Sequence, residues 1–106
     1  MGIFDFFKHA DINQGIEEYK AIPGAVLLDV RTEQEYRNGH VPGSINVPLQ
    51  KINTISEQVE DMDTPLFVYC QSGGRSRQAS SMLEHMGYSS VKNIGGIAVY
   101  SGKVER

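Results

Sequence analysis

Two apolar runs that do not alternate constrain this chain most. Ala25-Val26-Leu27-Leu28 ends at Asp29, and Leu66-Phe67-Val68-Tyr69 ends at Cys70. A strand with one face in water alternates apolar and polar residues, so short continuous runs mark strands covered on both faces. Ser44-Ile45-Asn46-Val47, closed by Pro48, and Val91 to Ile94 read as two further short strands. Helical spacing fills the intervals. Asp11 caps a helix through Lys20 that aligns Ile12, Ile16 and Tyr19 and stops at Pro23-Gly24. Thr32 and Glu35 have capping-box spacing, which predicts a brief helix from Glu33 to about Arg37, ended by Gly39. Leu49, Ile52, Ile55, Val59 and Met62 make one face of an amphipathic helix. Ala79, Met82, Leu83 and Met86 make another, ended by Gly87.

Strands alternating with helices imply crossover connections and therefore an α/β fold. The expectation is a mostly parallel central sheet of about five short strands with helices on both faces. A chain of 106 residues holds one such domain and is too short for two. A domain of this size buries roughly two-thirds of its unfolded surface, so it folds without metal or disulfide. Ligands of such sheets bind beyond the carboxyl ends of the strands, where Cys70 lies.

Composition removes several classes of function. The net charge is −3, from 10 basic and 13 acidic residues, and no basic cluster is interleaved with aromatics, so no nucleic-acid partner is expected. No stretch approaches a membrane span. The start, Met1 to Lys8, is interrupted by Asp5 and too short for a signal peptide, and Phe6 stands where a myristoylation motif after Gly2 wants Ser or Thr. Phe4, Phe6 and Phe7 are expected to pack on the domain edge as a strand or turn. No metal-ligand spacing and no nucleotide motif is present, so no cofactor is expected. One cysteine forms no intramolecular disulfide, and a lone thiol fits a reducing cytoplasm.

By count alone that cysteine reads as a small buried hydrophobe. Its neighbours change the reading. Cys70-Gln71-Ser72-Gly73-Gly74-Arg75-Ser76 leads from a strand into a helix. Gly73 and Gly74 tolerate positive φ and let the amides of Gln71 through Ser76 turn inward, toward an anion on or beside sulfur. The helix expected after Arg75 adds the positive end of its dipole, and Arg75 adds a permanent cation that faces the anion. All three favour the thiolate, which predicts a depressed pKa for Cys70. No histidine adjoins Cys70 in sequence, so the activation is electrostatic rather than a Cys–His pair. Arg77 is ambiguous between the site and solvent. The methionines of the last helical stripe read as core, and His85 suits a helix C-terminus.

The loop resembles the active-site loop of single-domain rhodaneses, the thiosulfate sulfurtransferases. The likeness extends to Leu27-Leu28-Asp29-Val30-Arg31-Thr32, to Glu35-Tyr36, and to Gly39-His40-Val41-Pro42-Gly43-Ser44-Ile45-Asn46-Val47-Pro48. Gly87-Tyr88, Val91 and Gly95-Gly96-Ile97 follow the family's carboxyl-terminal motif, so the core match covers residues 25–100 of a single domain, 1–106. Two departures stand out. Tyr100 replaces a tryptophan, and residues 1–10 match poorly. The resemblance implies that Cys70 takes the outer sulfur of a small anionic donor such as thiosulfate and carries it as a persulfide. A thiol, cyanide or a sulfur-relay protein then removes it. Gln71, Ser72, Gly73, Gly74, Arg75 and Ser76 would form the binding loop, with Asp29 and Arg31 as a supporting ion pair and His40 fixing a turn. Three alternatives remain: a persulfide carrier fed by a desulfurase, a cysteine phosphatase or arsenate reductase, and a non-catalytic protein-binding module. Phosphatase loops place five residues between Cys and Arg; here four separate Cys70 from Arg75, and Ser76 fills the phosphatase arginine position. The presence of Cys70 itself argues against the binding module. Neither oligomeric state nor pathway is legible.

Overall fold

The computed structural model describes residues 10–106, and the expectation for the amino-terminal phenylalanines lies outside them. The continuous apolar runs become the central strands. β1 (Val26–Asp29) and β3 (Leu66–Cys70) pair in parallel from Val26↔Leu66 to Asp29↔Tyr69. All five residues of β3 are buried. β2 (Ile45–Asn46) lies beyond β1 and β4 (Val91–Gly96) beyond β3, giving an all-parallel order β2-β1-β3-β4. The described residues thus hold four strands, of which β2 is shorter than its sequence run and β4 extends two residues past Ile94.

Two cores form, one on each face of the sheet. Leu28, Val30, Val68 and Cys70 pack under Ile52, Ile55, Ala79 and Leu83. Leu27, Phe67, Tyr69 and Ile94 pack against Ile12 and Ile16 of α1 (Ile12–Ala21), whose N-cap Asp11 accepts the Asn13 amide. The second helix, α2 (Glu33–Arg37), starts at a complete capping box between Thr32 and Glu35. The third, α3 (Gly74–Met86), follows β3 and ends at Gly87, whose φ of +111° suits glycine.

The amphipathic stripe from Leu49 departs from expectation. Leu49–Glu57 is a 3₁₀-helix, not an α-helix reaching Met62. Leu49, Ile52 and Ile55 recur at steps of three, the period of a 3₁₀ turn, so this winding keeps all three on one line. The step of four to Val59 breaks that line, and the helix stops before it. A bulge in β4 also bears on the site. Val68 pairs with Asn93 but Tyr69 pairs with Gly95, so Ile94 is an extra residue and Gly95 takes φ +101°.

Candidate active site

Cys70 ends β3 with its side chain on the α3 face, 1% exposed. The loop folds back over it, and the Gly73 amide donates to Sγ at 3.0 Å. Ser76 Oγ lies 3.4 Å from the same sulfur and is itself fully buried. Burial pushes the Cys70 thiol up, but the Ser76 hydroxyl and the amides of Ser76, Gly73 and Ser72 outweigh it, so its pKa lies below that of an ordinary thiol.

The loop's glycines divide their work differently from the expectation. Gly73 has φ +104° and serves as the N-cap of α3. Gly74 is already the first helical residue, with no positive φ, so the dipole of α3 begins closer to sulfur than a helix starting after Arg75 would allow. Tight packing holds the loop from below. A Cβ on Gly96 would lie 2.3 Å from the Gln71 carbonyl oxygen and 2.6 Å from Ser72 Cα. The Gln71 carbonyl also accepts the Ala98 amide at 3.1 Å.

Arg75 does not stand free. Its two terminal nitrogens grip Glu35 at 2.7 and 3.0 Å, a bidentate pair joining the loop to α2. That guanidinium holds the Glu35 carboxyl down to about 2, against a usual value of 4.5. The charge of Arg75 still bears on Cys70. Asp29 and Arg31 form the other ion pair, buried, at 2.8 Å. Arg31 also donates to the Gly39 carbonyl at 2.7 Å and reaches Gln71 Oε1 at 3.4 Å. It therefore ties the turn before His40 to the loop. His40 donates from Nδ1 to the Tyr36 carbonyl at 2.9 Å, stacks on the Tyr36 ring at 3.7 Å, and pairs its backbone with Glu105. It contacts none of the loop's polar groups in any hydrogen bond of the described residues.

Sequence reasoning passed over Asn93. Its Oδ1 accepts Ser76 Oγ–H at 2.7 Å and the Gly95 amide at 3.0 Å, which pins the α3 start to β4. A polar residue inside the short run Val91 to Ile94 was the available signal. Arg77 is exposed and lines an open cavity of about 630 Å³ on the outer side of the loop, with Gln71, Ser72, Gly73, Asn93 and Val99.

The profile of the Rhodanese-like domain matches residues 9–103. The chain belongs to the rhodanese family. Over 71 residues it is 41% identical to thiosulfate sulfurtransferase PspE of Escherichia coli, a span covering 66% of this chain and 68% of that protein. A tRNA uridine(34) hydroxylase of Salmonella newport is 32% identical over 92% of this chain, but the match spans only 28% of that longer protein. Among solved structures, a rhodanese with anions from Escherichia coli superposes with TM-score 0.72 at 35% identity, covering 77% of this chain and 98% of that one. BH2092 of Bacillus halodurans gives TM-score 0.75 at 26% identity, covering 97% and 80%. The α/β rhodanese fold read from the sequence is therefore the fold of this domain. No described helix of the domain is long and apolar enough to cross a membrane.

Proposed function

We propose that this rhodanese domain is a sulfurtransferase that carries sulfur as a persulfide on Cys70, taking it from thiosulfate or a similar small anionic donor. The observation that carries the reading is a buried sulfur with a lowered pKa, held 3.0 Å from the Gly73 amide beneath the start of α3. In the first step the Cys70 thiolate attacks the outer sulfur of thiosulfate. An Sγ–S bond forms, the sulfur–sulfur bond of the donor breaks, and sulfite leaves with the electron pair. The new terminal sulfur carries the negative charge, which the inward amides of the loop and the dipole of α3 offset. An acceptor thiolate, cyanide or a relay protein then attacks that terminal sulfur, and Sγ leaves as thiolate. The chemistry draws on no resident metal or organic cofactor and suits a reducing cytoplasm, where Cys70 stays available.

The loop favours sulfur over phosphate as the bound group. Phosphatase chemistry asks for a guanidinium where Ser76 stands, and Ser76 instead points its hydroxyl inward between Cys70 and Asn93. The test is intact mass after incubation with thiosulfate. Gain of one sulfur atom, absent in Cys70→Ser, supports the reading. Gain only from a cysteine desulfurase makes the domain a carrier that does not use thiosulfate. No gain from either, with turnover of an aryl phosphate, overturns sulfur transfer.

A further inference from the structure

Cys70, Ser76 and Asn93 form a hydrogen-bonded chain whose proton positions can be worked out. The Gly95 amide donates to Asn93 Oδ1 at 3.0 Å, which fixes the side-chain oxygen on that side, while Nδ2 faces the Gly73 carbonyl at 3.4 Å. An amide oxygen carries no proton, so Ser76 is the donor in the 2.7 Å contact with Oδ1. The Gly73 and Gly95 carbonyls lie farther from the same hydroxyl, at 3.1 and 3.5 Å, so the short Asn93 contact holds the proton. With its one proton committed there, Ser76 Oγ meets Cys70 Sγ, 3.4 Å away, as an acceptor. The chain runs from Sγ–H to Oγ–H to Oδ1 and suits a neutral thiol. A thiolate in the same place has no proton to give and faces the lone pairs of Oγ. Beside the bond it keeps from the Gly73 amide, it gains one from Ser76 only when the hydroxyl rotates from Asn93 to Sγ, the thiol proton having left to solvent. After that rotation Asn93 Oδ1 keeps the Gly95 amide, so neither arrangement leaves it unpaired.

We propose that Asn93 is a positioning residue that gives the Ser76 hydroxyl two seats: on Asn93 when Cys70 is protonated or carries sulfur, and on Sγ when Cys70 is the free thiolate. In the persulfide the charge has moved to the terminal sulfur, and Sγ no longer draws the hydroxyl. Asn93 thus competes with the thiolate for one proton. The counterintuitive consequence is that removing its oxygen frees the hydroxyl for sulfur. The inference rests on the reading of Cys70 as the nucleophile. Among the charged groups near the loop, Arg75 is paired with Glu35 and Arg31 with Asp29, and none of the substitutions below replaces a member of either pair.

The rate of Cys70 alkylation by iodoacetamide, followed against pH, tests it without any sulfur donor. Failure to load sulfur from thiosulfate would therefore count against the proposed function and not against this device. Asn93→Ala should lower the midpoint of the profile by about half to one pH unit, the scale of the neutral hydrogen bond to Asn93 that the hydroxyl no longer has to give up. In a Ser76→Ala background the same change should shift nothing, because the effect travels through the hydroxyl. Asn93→Asp keeps an acceptor for the Gly95 amide, holds the hydroxyl harder and adds negative charge, so it should raise the midpoint. It also serves if Asn93→Ala does not fold. A rise with Asn93→Ala, as a merely loosened loop would give, overturns the proposal. So does a shift that persists without Ser76, or a fall with Asn93→Asp.

Discussion

Glu35→Gln should destabilise the domain by about 1–2 kcal/mol at neutral pH, with a loss that disappears in acid. Glu35 has two partners of different kinds. It closes the capping box with Thr32, and it takes both terminal nitrogens of Arg75, forty residues away in sequence. Glutamine serves a capping box as well as glutamate, so the substitution leaves the helix start intact and removes the charge facing Arg75. A carboxyl lowered from 4.5 to about 2 corresponds to about 3 kcal/mol at about 1.36 kcal/mol per pH unit. The side chain is 33% exposed and its partner 35%, so solvent screening reduces that figure to about 1–2 kcal/mol. For a domain of this size the melting temperature should fall by roughly 5–10 °C. The sign with pH follows from a folded pKa below the unfolded one. The contribution is fully present above about pH 4.5 and is lost as pH falls toward 2. Urea unfolding of both proteins across that range reads the difference directly. A gap that stays constant from neutral pH into acid, or no gap at neutral pH, refutes an ion-pair origin.

Two other perturbations probe the scaffold of the site. Gly96→Ala brings a Cβ within 2.3 Å of the Gln71 carbonyl oxygen, a backbone atom that yields only if the loop moves. Sulfur transfer should fall at least tenfold while circular dichroism stays near that of the parent, and unchanged activity would show the loop is not held by this contact. Asp29→Asn leaves the buried Arg31 guanidinium without its carboxylate, and removing one partner of a buried pair costs about 3–5 kcal/mol. Denaturant titration should show that loss, and a cost below about 1 kcal/mol would mean that water reaches Arg31.

Local patterns carried most of the architecture and part of the site. The unalternating runs before Asp29 and Cys70 identified β1 and β3 as interior strands, and the Thr32–Glu35 spacing placed α2 to the residue. The winding at Leu49 was not legible, because steps of three fit both an α-helix face and a 3₁₀ line until the step to Val59 decides. The thiol and its glycine loop could be read from one stretch of chain. Their supports could not, because they come from elsewhere in sequence. Arg75 looked like a free cation until α2 presented Glu35 to it, and Asn93 reaches Ser76 because its pairing with Val68 puts it on the sheet face that α3 covers. Arg31 likewise reaches Gln71 across the parallel pairing of β1 with β3.

As proposed above, Cys70 is a polarised thiolate that accepts sulfur from a small anionic donor. Sulfite released in a single turnover measures that step alone, since no acceptor is needed. Mixing the protein with thiosulfate near pH 7, below the ordinary thiol value of about 8.5, should release close to one equivalent of sulfite per chain. Cys70→Ser should release none. Sulfite that appears equally from Cys70→Ser, or appears only when the pH exceeds the ordinary thiol value, would contradict the account.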